Sequence, residues 1–295
     1  MLRLADMAEK YYSMAGVSIA VEIPEARMYA EDRNLAPFRT GAVKETHRFS
    51  FEMVEELPEP QGECLCIDSV LRVYRDGQWQ IRYVGAVAEN WQNAYMRIAH
   101  RGTEHRVQLK QEHYPAGVNV TTVLSAVAAE HLVAQAGGFV FHTAYIEVEG
   151  GAILFTAPSG TGKSTQAELW HSLRGAEIIN GDRAAVRVTG EGIFACGIPF
   201  AGSSQICKNK TLPLKAVVYL TQAPQSTIRK LRGLEAFRSI WEGVSVNTWD
   251  ADDMNQVSQA VQRIAQEIPV YHLACTPDES AVLALEQALR KQAEL

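Results

Sequence analysis

Apolar positions in the first part of the chain recur at every second residue. Val17, Ile19, Val21 and Ile23 alternate with smaller or polar neighbours, the period of a strand with one buried face. Residues 71–84 read as a hairpin around Asp76-Gly77, residue types that suit a tight turn. Residues 95–98 and 107–109 are further strand candidates, and Cys64 and Cys66 sit two apart, as on one face of a half-buried strand. The period changes after residue 121. Val123, Leu124, Val127, Ala128, His131, Leu132 and Gln135 follow helical spacing until Gly137-Gly138 stops it. Residues 139–148 and 152–156 then read as strands joined by a turn at 149–151. A helix is expected over 166–173, closed by Arg174-Gly175. Residues 177–183 form a short apolar strand ending in an acid, and 184–188 continue as strand. A loop of turn residues follows at 197–204, then a buried strand at 214–220. Helices are expected at 234–241, 254–268 and 278–293, with a strand at 269–273. The pattern predicts an α/β (α+β) chain in two parts, β-rich over 1–118 and mixed over 119–295.

Composition narrows the function classes. The chain has 295 residues, 47% hydrophobic and 21% charged, which is globular and long enough for a large core. A net charge of −6 leaves no basic excess to neutralise phosphates, so no nucleic-acid partner is expected. No run of 18 apolar residues exists, and residues 1–10 are charged without a signal-type apolar block. No membrane partner is expected, and the expected location is cytoplasmic. Five scattered cysteines do not make a disulfide framework, and Cys64 with Cys66 offers too few ligands for a metal site.

The segment that carries chemistry is Ala157-Pro158-Ser159-Gly160-Thr161-Gly162-Lys163-Ser164-Thr165. It follows the apolar strand and precedes the expected helix, the strand–loop–helix setting of a P-loop. Small residues let successive backbone N–H groups curl around a polyphosphate, and the helix N-terminus adds partial positive charge. Ser159, Gly160, Thr161, Gly162, Lys163, Ser164 and Thr165 are therefore the expected nucleotide-binding set. Lys163 reaches the terminal phosphates and Ser164 ligates Mg²⁺ in such loops. Ala157 stands where the consensus begins with Gly.

A P-loop binds; phosphoryl transfer also needs a metal carboxylate and a group for the nucleophile's proton. Asp182, 19 residues after Lys163 at the end of a short apolar strand, is the candidate for one of these. His142 begins the strand that leads into the P-loop strand, where a histidine is either structural or part of the site. Lys208 and Lys210, after the loop at 197–204, are either surface lysines or partners for anionic groups.

Residues 142–148, Ser159 to Ser164 and Ile178-Ile179-Asn180-Gly181-Asp182-Arg183 together resemble the HPr kinase/phosphorylase group, whose core is related to the phosphoenolpyruvate carboxykinases. The resemblance spans roughly residues 120–290. It implies a kinase core over 119–295 using ATP and Mg²⁺, with Lys163 and Ser164 at the phosphates and metal. It places Asp182 at one acid of a paired Asp-Asp and His142 close to the active site. The catalytic set implied is thus Asp182, His142 and Lys163, and the metal set Ser164 and Asp182. The chain departs from the group at Gly181, where the first acid of the pair would stand. It also lacks the group's downstream glycine- and arginine-containing signature, residues 197–210 occupying its place. Three readings follow. The first is a kinase acting on a hydroxyl of a small molecule or peptide serine. The second is a protein serine kinase for an HPr-like or precursor-peptide partner. The third, favoured by Gly181, is a nucleotide-binding module without catalysis. The β-rich first part carries no catalytic constellation; shaping the acceptor site or a homo-oligomer contact are the roles left for it.

Overall fold

The computed structural model describes residues 7–24, 33–41, 44, 47–85, 94–99, 102–113, 129–202 and 204–294. The chain divides into two units, Met1–Ala129 and Glu130–Leu295. The boundary expected at 118/119, and the first turns of the helix expected from 121, lie outside the described residues.

The first unit is built on one nine-stranded sheet. Its strands are β1 (Met7–Met14), β2 (Val17–Pro24), β3 (Arg39–Thr40), β4 (His47–Val54), β5 (Glu63–Ile67), β6 (Leu71–Asp76), β7 (Trp79–Val84), β8 (Ala94–Ala99) and β9 (Glu104–Lys110). Their order is β3-β1-β2-β4-β9-β8-β7-β6-β5, parallel only at β2–β4 and β4–β9. Alternation decides the buried face: Val17, Ile19, Val21 and Ile23 of β2 are buried, as are Phe49, Phe51, Val107 and Leu109. Arg48 on β4 pairs with Glu22 of β2 and Glu9 of β1, stitching three neighbours on the other face. The expected hairpin forms, with Asp76 opposite Trp79 and Gly77 at φ +58° in the turn. The half-buried strand expected at Cys64 and Cys66 is corrected: β5 is the outermost strand and Cys64 is exposed. An extra residue between the two cysteines breaks their register against β6, so Cys64 and Cys66 oppose the adjacent Tyr74 and Val73.

The second unit is a mixed sheet with helices on both faces. Its elements are α1 (Ala129–Gln135), β10 (Gly138–Val148), β11 (Gly151–Thr156), α2 (Lys163–Arg174), β12 (Glu177–Asn180), β13 (Arg183–Thr189), β14 (Gly192–Cys196), β15 (Thr211–Gln222), β16 (Thr227–Leu231), α3 (Gly233–Trp241), β17 (Val244–Ser245), α4 (Ala251–Glu267), β18 (Val270–Cys275) and α5 (Glu279–Ala293). The order is β11-β10-β13-β14-β15-β18-β16, with β11 also pairing β15. Two long strands make this possible. β10 pairs β13 through its first half and β11 through its second; β15 pairs β14 first, then β11 and β18 in parallel.

β11 explains why its sequence is an unbroken apolar run rather than an alternating one: it is buried on both faces. Ala152 and Leu154 face a core with Ile240, Val257, Val261 and Ile264 of α3 and α4. Ile153 and Phe155 face the other core, with Ala167 and Trp170 of α2 and Val282 and Leu285 of α5. Asp250 and Asp278 cap α4 and α5, accepting from the N–H of Asp252 at 3.0 Å and Ser280 at 2.9 Å. The Asp250 cap starts α4 three residues ahead of the expected start at 254. Where α1 meets α4, buried His131 lies 3.0 Å from either oxygen of buried Asp253, which also accepts from Asn247 at 2.7 Å. These partners satisfy polar atoms that burial would otherwise leave unpaired.

Candidate functional site

The loop from Ala157 to Gly162 joins the fully buried end of β11 to the first turn of α2, the setting its sequence predicts. Gly160 and Gly162 take φ +77° and +121°, left-handed conformations open to glycine at little strain, and Gly162 stands at the helix N-cap. No side chain caps this end, so its N–H groups stay available to an anion. Ser159 and Gly160 are exposed, Thr161 is half-buried, and Ser164 and Thr165 are exposed in the first turn.

Lys163 is 7% exposed, and its ammonium donates to the carbonyls of Ala157 at 2.9 Å and Pro158 at 3.4 Å. Burial lowers its pKa, and the charge of Asp182 works against that fall. The Ser164 hydroxyl lies 3.4 Å from the Gly181 carbonyl. The loop thus abuts the turn that bears Asp182.

That turn corrects the expected strand over 177–183. β12 ends at Asn180, residues 181–182 bend, and β13 begins at Arg183. The cause is Asn180, fully buried. Its Oδ1 accepts from the N–H groups of Asp182 and Arg183, both at 2.9 Å, and its Nδ2 donates to the carbonyls of Ile198 at 3.1 Å and Phe200 at 3.2 Å. An Asn that mimics a backbone turn in this way is the local signal that Asn180-Gly181-Asp182 carries.

Register then brings His142 in. β10 and β13 place His142 opposite Arg183, and the Thr143 N–H donates to the Asp182 carbonyl at 2.9 Å. His142 Nε2 lies 3.3 Å from Asp182 Oδ1, and Arg183 Nε lies 3.5 Å from Oδ2. The His142 hydrogen bond is the largest cause of a lowered Asp182 pKa; burial opposes it, and the charges of His142, Arg183 and Lys163 add to the fall. Asp182 is therefore a firmly ionised carboxylate at neutral pH.

Residues 197–202 and 204–210 pack directly on this turn. A Cβ at Gly202 would come within 2.7 Å of the Asp182 carboxyl carbon, and one at Gly181 within 2.4 Å of the Ser204 hydroxyl. Both glycines are there because two loops touch. Lys208 and Lys210 are engaged with protein carboxylates: Lys208 pairs with Glu177 at 2.8 Å, and Lys210 with Glu177 at 2.7 Å and with Glu147.

Sequence reasoning passed over Asn180, Gly202 and Arg183. Asn180-Gly181-Asp182 carries turn residue types that the strand reading overrode; the other two become visible only once the loops meet. It also passed over a cleft of 640 Å³ beside the loop, bordered by Thr165 and Gln166 on one side and Gln222 and Cys275 on the other.

What the residues describe is a mixed α/β unit that sets a glycine-containing loop and an uncapped helix start beside an acid–histidine pair. The family model described as SynChlorMet cassette protein ScmC matches residues 109–290, more than half of the chain, and the chain belongs to that family. No curated protein matches the sequence. Among solved structures, the HPr(Ser) kinase/phosphatase from Coxiella burnetii is similar at 12% identity and a TM-score of 0.30, covering 52% of this chain and 90% of that chain. That score is too low to define a shared fold. Among the described residues no helix is long and apolar enough to cross a membrane.

Proposed function

We propose that the chain is an ATP-dependent kinase that moves the γ-phosphoryl group onto a hydroxyl of a small molecule or peptide serine. The observation that carries this reading is the meeting of Lys163 and Ser164 with the Asp182–His142 pair, since binding alone needs no such pair. The donor set fits Mg²⁺: the Ser164 hydroxyl, the Asp182 carboxylate and the Gly181 carbonyl are hard oxygen ligands. When bound, the ion would neutralise charge on the phosphate oxygens. Lys163 would leave the Ala157 and Pro158 carbonyls to meet the terminal phosphates. A carboxylate with a lowered pKa is a weak base, which favours Asp182 as metal ligand and leaves His142 to take the acceptor's proton.

A second reading, nucleotide binding without transfer, is favoured by Gly181, where Ser204 fills the space an acid would need. One experiment separates the two. Full-length protein with Mg²⁺ and labelled ATP is offered hydroxyl metabolites and serine peptides, and phosphate transfer is followed. Transfer is expected. Asp182→Asn should keep its fold while losing about 10²-fold or more in turnover, the scale of a lost charge-stabilising group. Lys163→Ala should weaken nucleotide binding by at least about tenfold, in line with loss of a charge-assisted bond. Unaltered affinity in Lys163→Ala would sink the phosphate assignment; tight binding with no transfer to any acceptor would select the second reading.

A further inference from the structure

The cleft beside the phosphate loop has a polar atom with nothing to bind. Gln166, in the first turn of α2, is 2% exposed. Its Nε2 meets the Cys275 sulfur at 3.4 Å, while its Oε1 has no hydrogen-bond partner among the described residues. A buried acceptor left unpaired is unfavourable unless something outside the chain supplies the donor. Gln166 lines the 640 Å³ cleft, a volume within the range of small-molecule sites.

The far wall is where ligands collect in parallel sheets. Gln222 and Cys275 are register partners at the carboxyl ends of the parallel strands β15 and β18, and the Ala223 N–H donates to the Cys275 carbonyl at 3.1 Å. Ala223 and Pro277 add apolar surface suited to a flat ring. The loop backbone at Gly160, Thr161 and Gly162 forms the rim, whereas Lys163, Ser164, Asp182 and His142 lie outside the lining. A ligand held by the loop therefore has its reacting end at Asp182 and its other end in this cleft.

We infer that the cleft takes the base of the nucleotide, and that Gln166 Oε1 accepts a hydrogen bond from the exocyclic amino group of adenine. The inference rests on the phosphate-loop reading and extends it to the choice of base. Guanine presents a carbonyl where adenine presents its amino group, so an oxygen facing an oxygen disfavours it. Gln222, exposed at the rim and 3.4 Å from the Thr161 carbonyl through its Nε2, is free to turn toward the ring.

The test is calorimetry on the full chain with Mg²⁺ and three probes: ATP, GTP and inorganic tripolyphosphate. ATP should bind tighter than either of the others by about tenfold or more, the scale of one or two good polar contacts. Gln166→Leu removes the acceptor, and Ala223→Phe narrows the cleft from its far wall while keeping Gln166. Each should bring ATP affinity down to that of tripolyphosphate and leave tripolyphosphate binding unaltered. Ala223→Phe carries the test if Gln166→Leu does not fold. Equal affinity of the wild type for ATP and tripolyphosphate would overturn the base site while leaving the phosphate loop intact. Tighter GTP than ATP would overturn the adenine assignment, as would an equal loss for ATP and tripolyphosphate in both variants. Failure of tripolyphosphate and ATP alike to bind would sink the phosphate-loop reading, and the base site with it.

Discussion

Glu177 sits between two ammonium groups at the start of β12. Lys208 donates to one carboxylate oxygen at 2.8 Å and Lys210 to the other at 2.7 Å. These two hydrogen bonds, against a smaller opposing effect of burial, push its pKa down from 4.5 to about 2. A carboxylate with a lowered folded pKa stabilises the fold above its unfolded value and loses that contribution as pH falls through the folded value. The contribution of Glu177 should thus be complete above pH 4.5 and fade toward pH 2. The three groups are partly exposed, so salt should weaken it as well. Melting curves of wild type and Glu177→Gln between those limits should converge as pH falls, and converge sooner at high salt. A gap that stays constant across the range would show that the charge on Glu177 contributes nothing to folding. At this scale the sequence left Lys208 and Lys210 open to outside anions. Their partners, Glu177 and Glu147, are too far off in the chain for spacing to reveal.

The element that decides the site is the turn from β12 to β13. Asn180 holds it from below through its side-chain bonds, and residues 197–202 and 204–210 cover it. Gly181 lies outside the left-handed region, so its backbone would accept another residue; what forbids a side chain is Ser204, 2.4 Å from the place of a Cβ. Restoring an acid with Gly181→Asp should therefore destabilise the protein by about 1–3 kcal/mol, as overpacking does. Adding Ser204→Gly removes both the hydroxyl and the Cβ in the way and should recover most of that loss. Urea denaturation of the single and double variants checks it. A single variant as stable as wild type would mean the covering segment yields freely and the missing acid is not a packing matter.

Across the whole molecule, Lys163, Ser164, Asp182, His142 and Gln166 all belong to the second unit, Glu130–Leu295. The first unit is one sheet with an apolar buried face. A fragment spanning residues 118–295 should accordingly bind ATP with Mg²⁺ as the full chain does, once circular dichroism has shown it folded. Acceptor recognition is the property it would lose if the first unit shapes that site. A folded fragment with no nucleotide affinity would show that the first unit reaches the nucleotide directly.

What the sequence by itself determined is local. The two-residue period of β2, the hairpin at Asp76-Gly77, the unbroken apolar run of β11, the small residues of the loop and the Gly175 stop of α2 all depend on neighbours within a few positions. Each was legible for that reason. Strands β14 and β16 were not, since their short runs gain their place by pairing with β15 and β18. The site divides the same way. The place of Lys163 and Ser164 at the start of α2 follows from local residue types, whereas Asp182 lies in a turn where the pattern had read a strand. The 3.3 Å contact of His142 with Asp182 depends on the register of β10 against β13. The fit of Gly202 and Ser204 onto the turn depends on a loop folding back, and the unpaired oxygen of Gln166 depends on strand ends more than fifty residues away in the chain. Local chemistry selects conformations of a few residues, whereas these contacts exist only because a closed circuit of strands brings distant segments to one edge of the sheet.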